Sequence, residues 1–453
     1  MTTDPARALA AHVCRTAFDA LPPATVEATK RDIGDTLGCL LGGSSEPGIA
    51  ELLRLATRWG GTPECDALLL GAKLPAPQAA ALNASMAHAL DFDDTLDHGG
   101  SIHPGASLLG ATLAVAQLTG ATGRQFVLAY ALGLDVSCRI ALAATVDRGW
   151  HRTAAIGVFG AAAAAGKLLG LDEDRMTHAL GIAYSQAAGN RQCIVDGALT
   201  KRLQAGQAAS SGVFAALLAQ DGFTGAANIF AGKFGFYELY QPGGYDIAKL
   251  TDSLGTQFRG DEVSFKPYAC GRPFHAVLDA ALALRQSLAP RADQIAAADL
   301  VLDGPSYADQ FESGPHKRRP GQIVEAQFAL PFLVATALLR GKVGIAEVAA
   351  FTDADVLVLA ARITGAPGEG KRGWGQVTVR LSDGRSQTLE TTAPLGSPAN
   401  PLSPAQREAK FRDCAANAVR PIAPDAIAQA LAMLSRLEAE SSMAGLVQLF
   451  TVR

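Results

Sequence analysis

Four carboxylates and three imidazoles fall within the seventeen residues from Ala87 to His103: Asp91, Asp93, Asp94 and Asp97, with His88, His98 and His103. The surrounding chain is mostly Ala, Leu and Gly, so this stretch is the best supplied for chemistry. Groups of this kind move protons, and imidazole does so near neutral pH. His88, Asp91 and Thr95 stand at i, i+3 and i+7, which predicts one helical face carrying all three. Gly99, Gly100 and Pro104 then predict a break into a loop that carries His103. Taken singly, Asp93, Asp94 and Asp97 read as solvated carboxylates and His88 as a packing residue. As a cluster they are costly to bury without a use. Metal binding is the rival use, but neither an HExxH nor a calcium-loop spacing is present, so no metal site is expected.

Three further stretches carry cations or imidazoles. His151 precedes a helix starting near Ala154, where the positive dipole end favours a substrate carboxylate. Lys201 and Arg202 open an Ala-rich helix, a placement the dipole opposes unless an anion sits there. Lys266, Arg272 and His275 share the turn-rich stretch from Phe265 to His275. A guanidinium fork and an ammonium point charge both suit carboxylate binding. The expected division of labour gives proton transfer to His103 and His151, with Lys201 as a further candidate base. Asp91 orients an imidazole and Thr95 bonds the substrate. Lys266, Arg272, His275 and Arg202 bind carboxylates.

A largely helical chain must position these groups. Residues 4 to about 260 are Ala-, Leu- and Gly-rich, and Gly or Pro punctuation predicts helices at about 76–95, 105–118, 123–143, 153–169, 172–188 and 201–220. The character changes after about 260. Val263 to Tyr268 reads as a strand entering a Pro turn, with a helix at about 273–287 and a strand from Ile295 to Leu302. Gln376 to Leu381 and Ser386 to Thr391 alternate around Asp383-Gly384, a hairpin signal. Ser403-Pro404 is a cap-like return to helix. The expected fold is mainly α, with a large all-helical domain built from both chain ends (1–260, with 400–453 returning to it) and a smaller inserted α+β lid domain at 261–399.

Composition narrows the function classes. A chain of 453 residues is too long for one compact core. With 49% hydrophobic and 18% charged residues it is a buried globular protein rather than a disordered one. A net charge of −4 and a pI near 6.1 leave no basic footprint for nucleic acid and no polybasic membrane patch. No apolar run reads as long enough to span a bilayer, and the N-terminus lacks a signal-peptide pattern. The seven cysteines are scattered without a CxxC pair, which points to a reducing compartment and a cytoplasmic location.

The sequence His-Ala-Leu-Asp-Phe-Asp-Asp-Thr at His88 to Thr95, followed by His103-Pro104, resembles the signature of the MmgE/PrpD family. Gly149-Trp150-His151, Thr200 to Gly206, Gly222 to Gly225, Phe265 to His275, Ala326 to Phe332 and Asn400 to Phe411 are similar to that family in the same order. The resemblance implies a large helical domain with a smaller α+β lid, a homodimer, and no metal or organic cofactor. It implies an activity among those of 2-methylcitrate dehydratase, cis-aconitate decarboxylase and iminodisuccinate epimerase. It also implies active-site positions at Asp91, Thr95, His103, His151, Lys201 and Lys266, with His275 matching a His common in other members. The stretch from Asp97 to Ile102 is longer than in the decarboxylases, and the epimerase tyrosine would fall near Val146. The expected activity is a cofactor-independent lyase on a small di- or tricarboxylic acid. Loss of water is expected first, loss of CO₂ second and epimerisation third. A binding protein without turnover is the alternative from another class.

Overall fold

Small side chains and repeated Pro and Gly punctuation divide the first half of the chain into closely packed helices. The structure, a computed structural model, describes residues 4–98, 102–288, 294–370 and 373–452. Its central helices are α1 (Pro23–Gly43), α2 (Ala76–His88), α3 (Pro104–Thr119), α4 (Gly123–Ala143), α5 (Arg152–Leu168) and α6 (Thr200–Gln220). Pro in the first turn starts α1, α2 and α3, where its missing N–H costs nothing. A Thr122–Gln125 capping box starts α4. Glycine sets one crossing that matters for the site. A methyl group at Gly206 would collide with Ser85 Oγ and stand 2.5 Å from the Ala81 carbonyl oxygen. Without it α6 closes onto α2, and the start of α6 meets the end of α2.

Among the described residues, the strands form two small sheets. β1 (Cys65–Ala67) and β2 (Ala72–Leu74) form an antiparallel ribbon. β3 (Ile295–Asp303), β4 (Ile363–Gly368), β5 (Gly375–Leu381) and β6 (Ser386–Thr391) form a sheet of order β4-β3-β5-β6. β3 and β4 run parallel, and the other pairs are antiparallel. Leu300, Val377 and Val379 are buried in a core shared with α7 (His275–Leu288) and α8 (Leu330–Arg340). α9 (Pro404–Ala416) begins in a Ser403–Gln406 capping box and packs on α1. Phe411, Leu434 and Phe450 thereby join the hydrophobic core of the first helices.

Several expectations are corrected. α2 stops at His88 instead of continuing to 95, because Asp91 adopts a left-handed φ of 50° that no right-handed helix accommodates. His88, Asp91 and Thr95 therefore do not share a helical face. The helix expected to reach 188 ends at Tyr184. Val263 to Tyr268 is not a strand: the Ser264 N–H goes to the Thr95 carbonyl, the Phe265 N–H to the Gly396 carbonyl, and Pro267 has none to give. Gly99 and Gly100 lie outside the described residues. Among the described residues one helix, α4, is long and apolar enough to cross a membrane, contrary to the expectation, and 94% of its apolar window is buried inside the protein.

Candidate active site

A cavity of about 450 Å³ opens where the loop after α2 and the starts of α3, α5 and α6 meet the loops carrying Arg272 and residues 392–399. Asp91, Thr95, His103, His151, Lys201 and Arg272 all border it.

Its floor is an array of buried ions. Lys201, in the first turn of α6, donates to Asp91 Oδ1 at 2.6 Å and to His88 Nε2 at 3.0 Å. Lys266 donates to Asp91 Oδ2 at 3.0 Å and to the Asp91 carbonyl at 2.8 Å. The left-handed turn at Asp91 is what presents carboxylate and carbonyl to cations on two sides. Burial pushes the Asp91 carboxyl up, but Lys201 and Lys266 outweigh it and hold its pKa well below the usual range. His88 Nδ1 donates to Asp93 Oδ2 at 2.6 Å, which leaves Nε2 as the acceptor for Lys201. Asp93 and Asp94 are fully buried, not solvated. Lys410 of α9 ties this loop down from behind, donating to the Phe92 carbonyl at 2.7 Å and pairing with Asp35 at 2.7 Å.

The other wall carries two imidazoles at helix starts. His103 is the N-cap residue of α3 and His151 that of α5. His103 Nδ1–H donates to the Asp94 carbonyl at 2.6 Å. His151 Nδ1–H donates to Gln204 Oε1 at 3.1 Å, an oxygen fixed as acceptor by the Asn190 N–H on the same atom. Both rings thus keep Nε2 as the lone-pair nitrogen on a cavity that both rings border. The His88 ring centroid lies 5.3 Å from that of His103 and 5.4 Å from that of His151. Burial, then the Lys266 ammonium, pushes the His103 pKa down to about 3. Burial, with His88 and Lys201 nearby, holds His151 well below its ordinary value. Two neutral imidazoles therefore stand beside a fixed positive field, an arrangement suited to moving a proton at a carbon that gathers negative charge.

Behind His103 sits a buried carboxyl pair. The Asp94 carboxyl accepts the Gly105 N–H at 3.0 Å, and Asp32 accepts the Tyr130 hydroxyl at 2.6 Å. Burial, then repulsion between them, raises Asp94 well above the usual carboxyl range. Burial likewise pushes Asp32 up to about 7. A Cβ on Gly105 would stand 2.7 Å from Asp94 Oδ1 and 2.8 Å from Asp32 Oδ1, so only glycine fits in the first turn of α3 where it faces the pair.

The expected residues separate into two groups. Asp91, Thr95, His103, His151, Lys201 and Arg272 converge on the cavity. Lys266, His275 and Arg202, expected to bind substrate, do not border it. Lys266 is fully buried beneath Asp91. His275 lies behind Arg272, whose Nη1 donates to His275 Nδ1 at 3.3 Å. Arg202 turns to Glu46 and the Pro47 carbonyl. Both cations at the start of α6 thus meet anions, as the dipole argument requires, but those anions belong to the chain. Arg191 and Phe328 also border the cavity, and sequence reasoning passed them over. Among the described residues, no three His, Cys, Asp or Glu side chains are grouped as a metal site requires.

Comparison with known sequences adds the following. The MmgE/PrpD N-terminal domain profile matches residues 7–247, and the MmgE/PrpD C-terminal domain profile matches residues 268–435. The chain is 26% identical to a cis-aconitate decarboxylase of Aspergillus terreus over 408 residues, covering 84% of this chain and 83% of the other. It is 27% identical to the cis-aconitate decarboxylase of Homo sapiens over 449 residues, 91% of this chain and 87% of that one. A cis-aconitate decarboxylase-like protein of Aspergillus oryzae is 27% identical over 345 residues, 71% of each chain.

Proposed function

Because this chain belongs to the MmgE/PrpD family, we propose that it is a lyase on a small polycarboxylate, moving a proton at a carbon next to a carboxylate without metal or organic cofactor. One observation carries the reading: two neutral imidazoles, His103 and His151, are anchored through Nδ1 and keep Nε2 for the cavity.

The substrate carbon passes through a carbanionic or enolate-like state. Lys201 on the cavity wall stabilises that charge, and Lys266 keeps Asp91 ionised so that Lys201 stays in place. In CO₂ loss, the electron pair of the breaking C–C bond moves into the carbon skeleton and takes a proton beside a retained carboxylate. A polyanionic substrate raises the proton affinity of His103 and His151, so one of them delivers that proton. Thr95 bonds the substrate at the cavity wall. The relatives named cis-aconitate decarboxylase favour CO₂ as leaving group. We therefore place decarboxylation ahead of water loss, reversing the order expected from the sequence. Water loss is the second reading, favoured by the neutral imidazoles, which are poised to accept a proton. Residues 261–399 act as the lid, and a second copy covers the exposed Leu199, Leu203 and Phe214.

Proton NMR in D₂O with chelator tests the reading on cis-aconitate, citrate and 2-methylcitrate. Loss or exchange of a C–H signal with release of CO₂ or water is expected. No change with these three tricarboxylates or with the dicarboxylate citraconate sinks the lyase reading.

A further inference from the structure

The Arg272 guanidinium is the carboxylate-binding group expected at the cavity, and it is already occupied. Its Nε–H donates to Asp97 at 3.0 Å, and one Nη2 hydrogen donates to Asp97 Oδ2 at 2.8 Å. Its Nη1 hydrogens go to the Leu395 carbonyl at 2.9 Å and to His275 Nδ1 at 3.3 Å. A guanidinium has five N–H groups, so a substrate finds one left. Asp97 is itself anchored, since Ser264 Oγ donates to its Oδ2 at 2.6 Å. Asp97 and Arg272 both border the cavity. The Asp97 carboxylate therefore holds, in fork-on-fork geometry, the position where a substrate carboxylate would bind. It also adds a negative charge that repels one.

We propose that Asp97 is a specificity-determining residue of this site, filling one carboxylate subsite from within the chain so that the preferred substrate is a dicarboxylate rather than a tricarboxylate. The inference rests on the polycarboxylate lyase reading above. The remaining charges fit it. Lys201 at the floor keeps one ammonium hydrogen beyond those given to Asp91 and His88, and the Arg191 side chain at the mouth is held by a solvent-exposed pair with Asp147, so two carboxylates on a short carbon chain match these two positions.

The test compares cis-aconitate with citraconate, which is cis-aconitate carrying a methyl group in place of its carboxymethyl arm. Dissociation constants are read by isothermal titration calorimetry on wild type, Asp97→Ala and Asp97→Asn, with turnover followed by NMR in parallel. Asp97→Asn keeps the size and a hydrogen-bonding oxygen, so it answers the question if the alanine variant folds poorly. Wild type is expected to bind citraconate more tightly than cis-aconitate. Releasing Arg272 is expected to tighten cis-aconitate by about tenfold or more in Asp97→Ala, and citraconate by less than about threefold. A wild type that prefers cis-aconitate, or variants that leave the ratio unchanged, overturns the role of Asp97 and leaves the lyase reading standing. Binding of neither compound to any of the three proteins overturns the polycarboxylate reading, and this inference with it.

Discussion

At the floor of the cavity Lys201 and Asp91 leave 4% and 1% of their side chains exposed, while at the mouth Arg191 and Asp147 leave 44% and 50%. The two ion pairs have nearly the same length, 2.6 Å and 2.7 Å. Separation does not rank them; solvent does. Water screens the mouth pair and competes for both partners, so an exposed pair contributes little. At the floor, losing one partner strands a charge with no water to receive it. The floor also has two cations on one anion, so Asp91 is the group whose loss strands most.

Replacing Asp91 with Asn is therefore the harshest way to break the contrast. Asn tolerates the left-handed backbone, so the substitution isolates charge from strain. It leaves the Lys201 and Lys266 ammonium groups buried together. Asp91→Asn is expected to cost about 3–5 kcal/mol of unfolding free energy in a urea titration, and turnover with it. A loss below about 1 kcal/mol, the scale of an exposed pair, would erase the distinction between floor and mouth.

His103 and His151 stand between those extremes, buried but neutral. His103→Gln and His151→Gln each remove a proton carrier without stranding a charge. Each is expected to lower turnover by about 10²- to 10⁴-fold while the protein still unfolds cooperatively. Near-normal rates in both would leave the imidazoles as packing groups.

The floor and its surroundings were unequally legible in the sequence. The run from His88 to His103 announced itself by charge density, and α3 to α6 by their Pro, Gly and Ala pattern. The left-handed Asp91 did not, because spacing alone continues a helix through it. β4 was missed because Ile363 to Gly368 carries Gly365, Pro367 and Gly368. It is an edge strand that borrows its order from β3. Lys266 and His275 look like substrate ligands in one dimension. Only the fold shows that Asp91 and Arg272 stand in front of them. Arg191 had no signal at all, since its role at the cavity depends on where a loop after Gly189 happens to lie.

Acidification sharpens the contrast more gently, because only groups whose pKa differs between the folded and unfolded chain change stability with pH. Burial lowers His88, His103, His151 and His275, so between about pH 6.5 and 3 the unfolded chain binds more protons and stability falls as pH falls. Asp32, raised to about 7, and Asp94 work the other way. Their contribution is present at low pH and is lost as pH rises from about 4 through 7. Burial raises Asp35, Glu46, Asp261 and Asp279 as well, so carboxyls and imidazoles oppose one another between pH 7 and pH 5, and substitution is what isolates the Asp32 contribution. In Asp32→Asn the opposing contribution is gone. The stability of Asp32→Asn relative to wild type should therefore grow from pH 5 to pH 8, as paired denaturant titrations would show. A difference independent of pH would mean that Asp32 is ionised in the folded protein throughout.

The smallest effect belongs to the mouth. The Arg191 backbone N–H donates to the Gly149 carbonyl at 3.0 Å, so the loop stays anchored when the side chain changes. Arg191→Gln is expected to move unfolding free energy by less than about 0.5 kcal/mol. If Arg191 receives the outer carboxylate of the substrate, the same variant raises KM and leaves kcat alone, because the contact is equal in ground and transition states. That rise should shrink at high salt, where the exposed guanidinium of the wild type is screened as well. A salt-independent rise would place the Arg191 contact in a desolvated setting once substrate is bound, and the mouth would then behave like the floor.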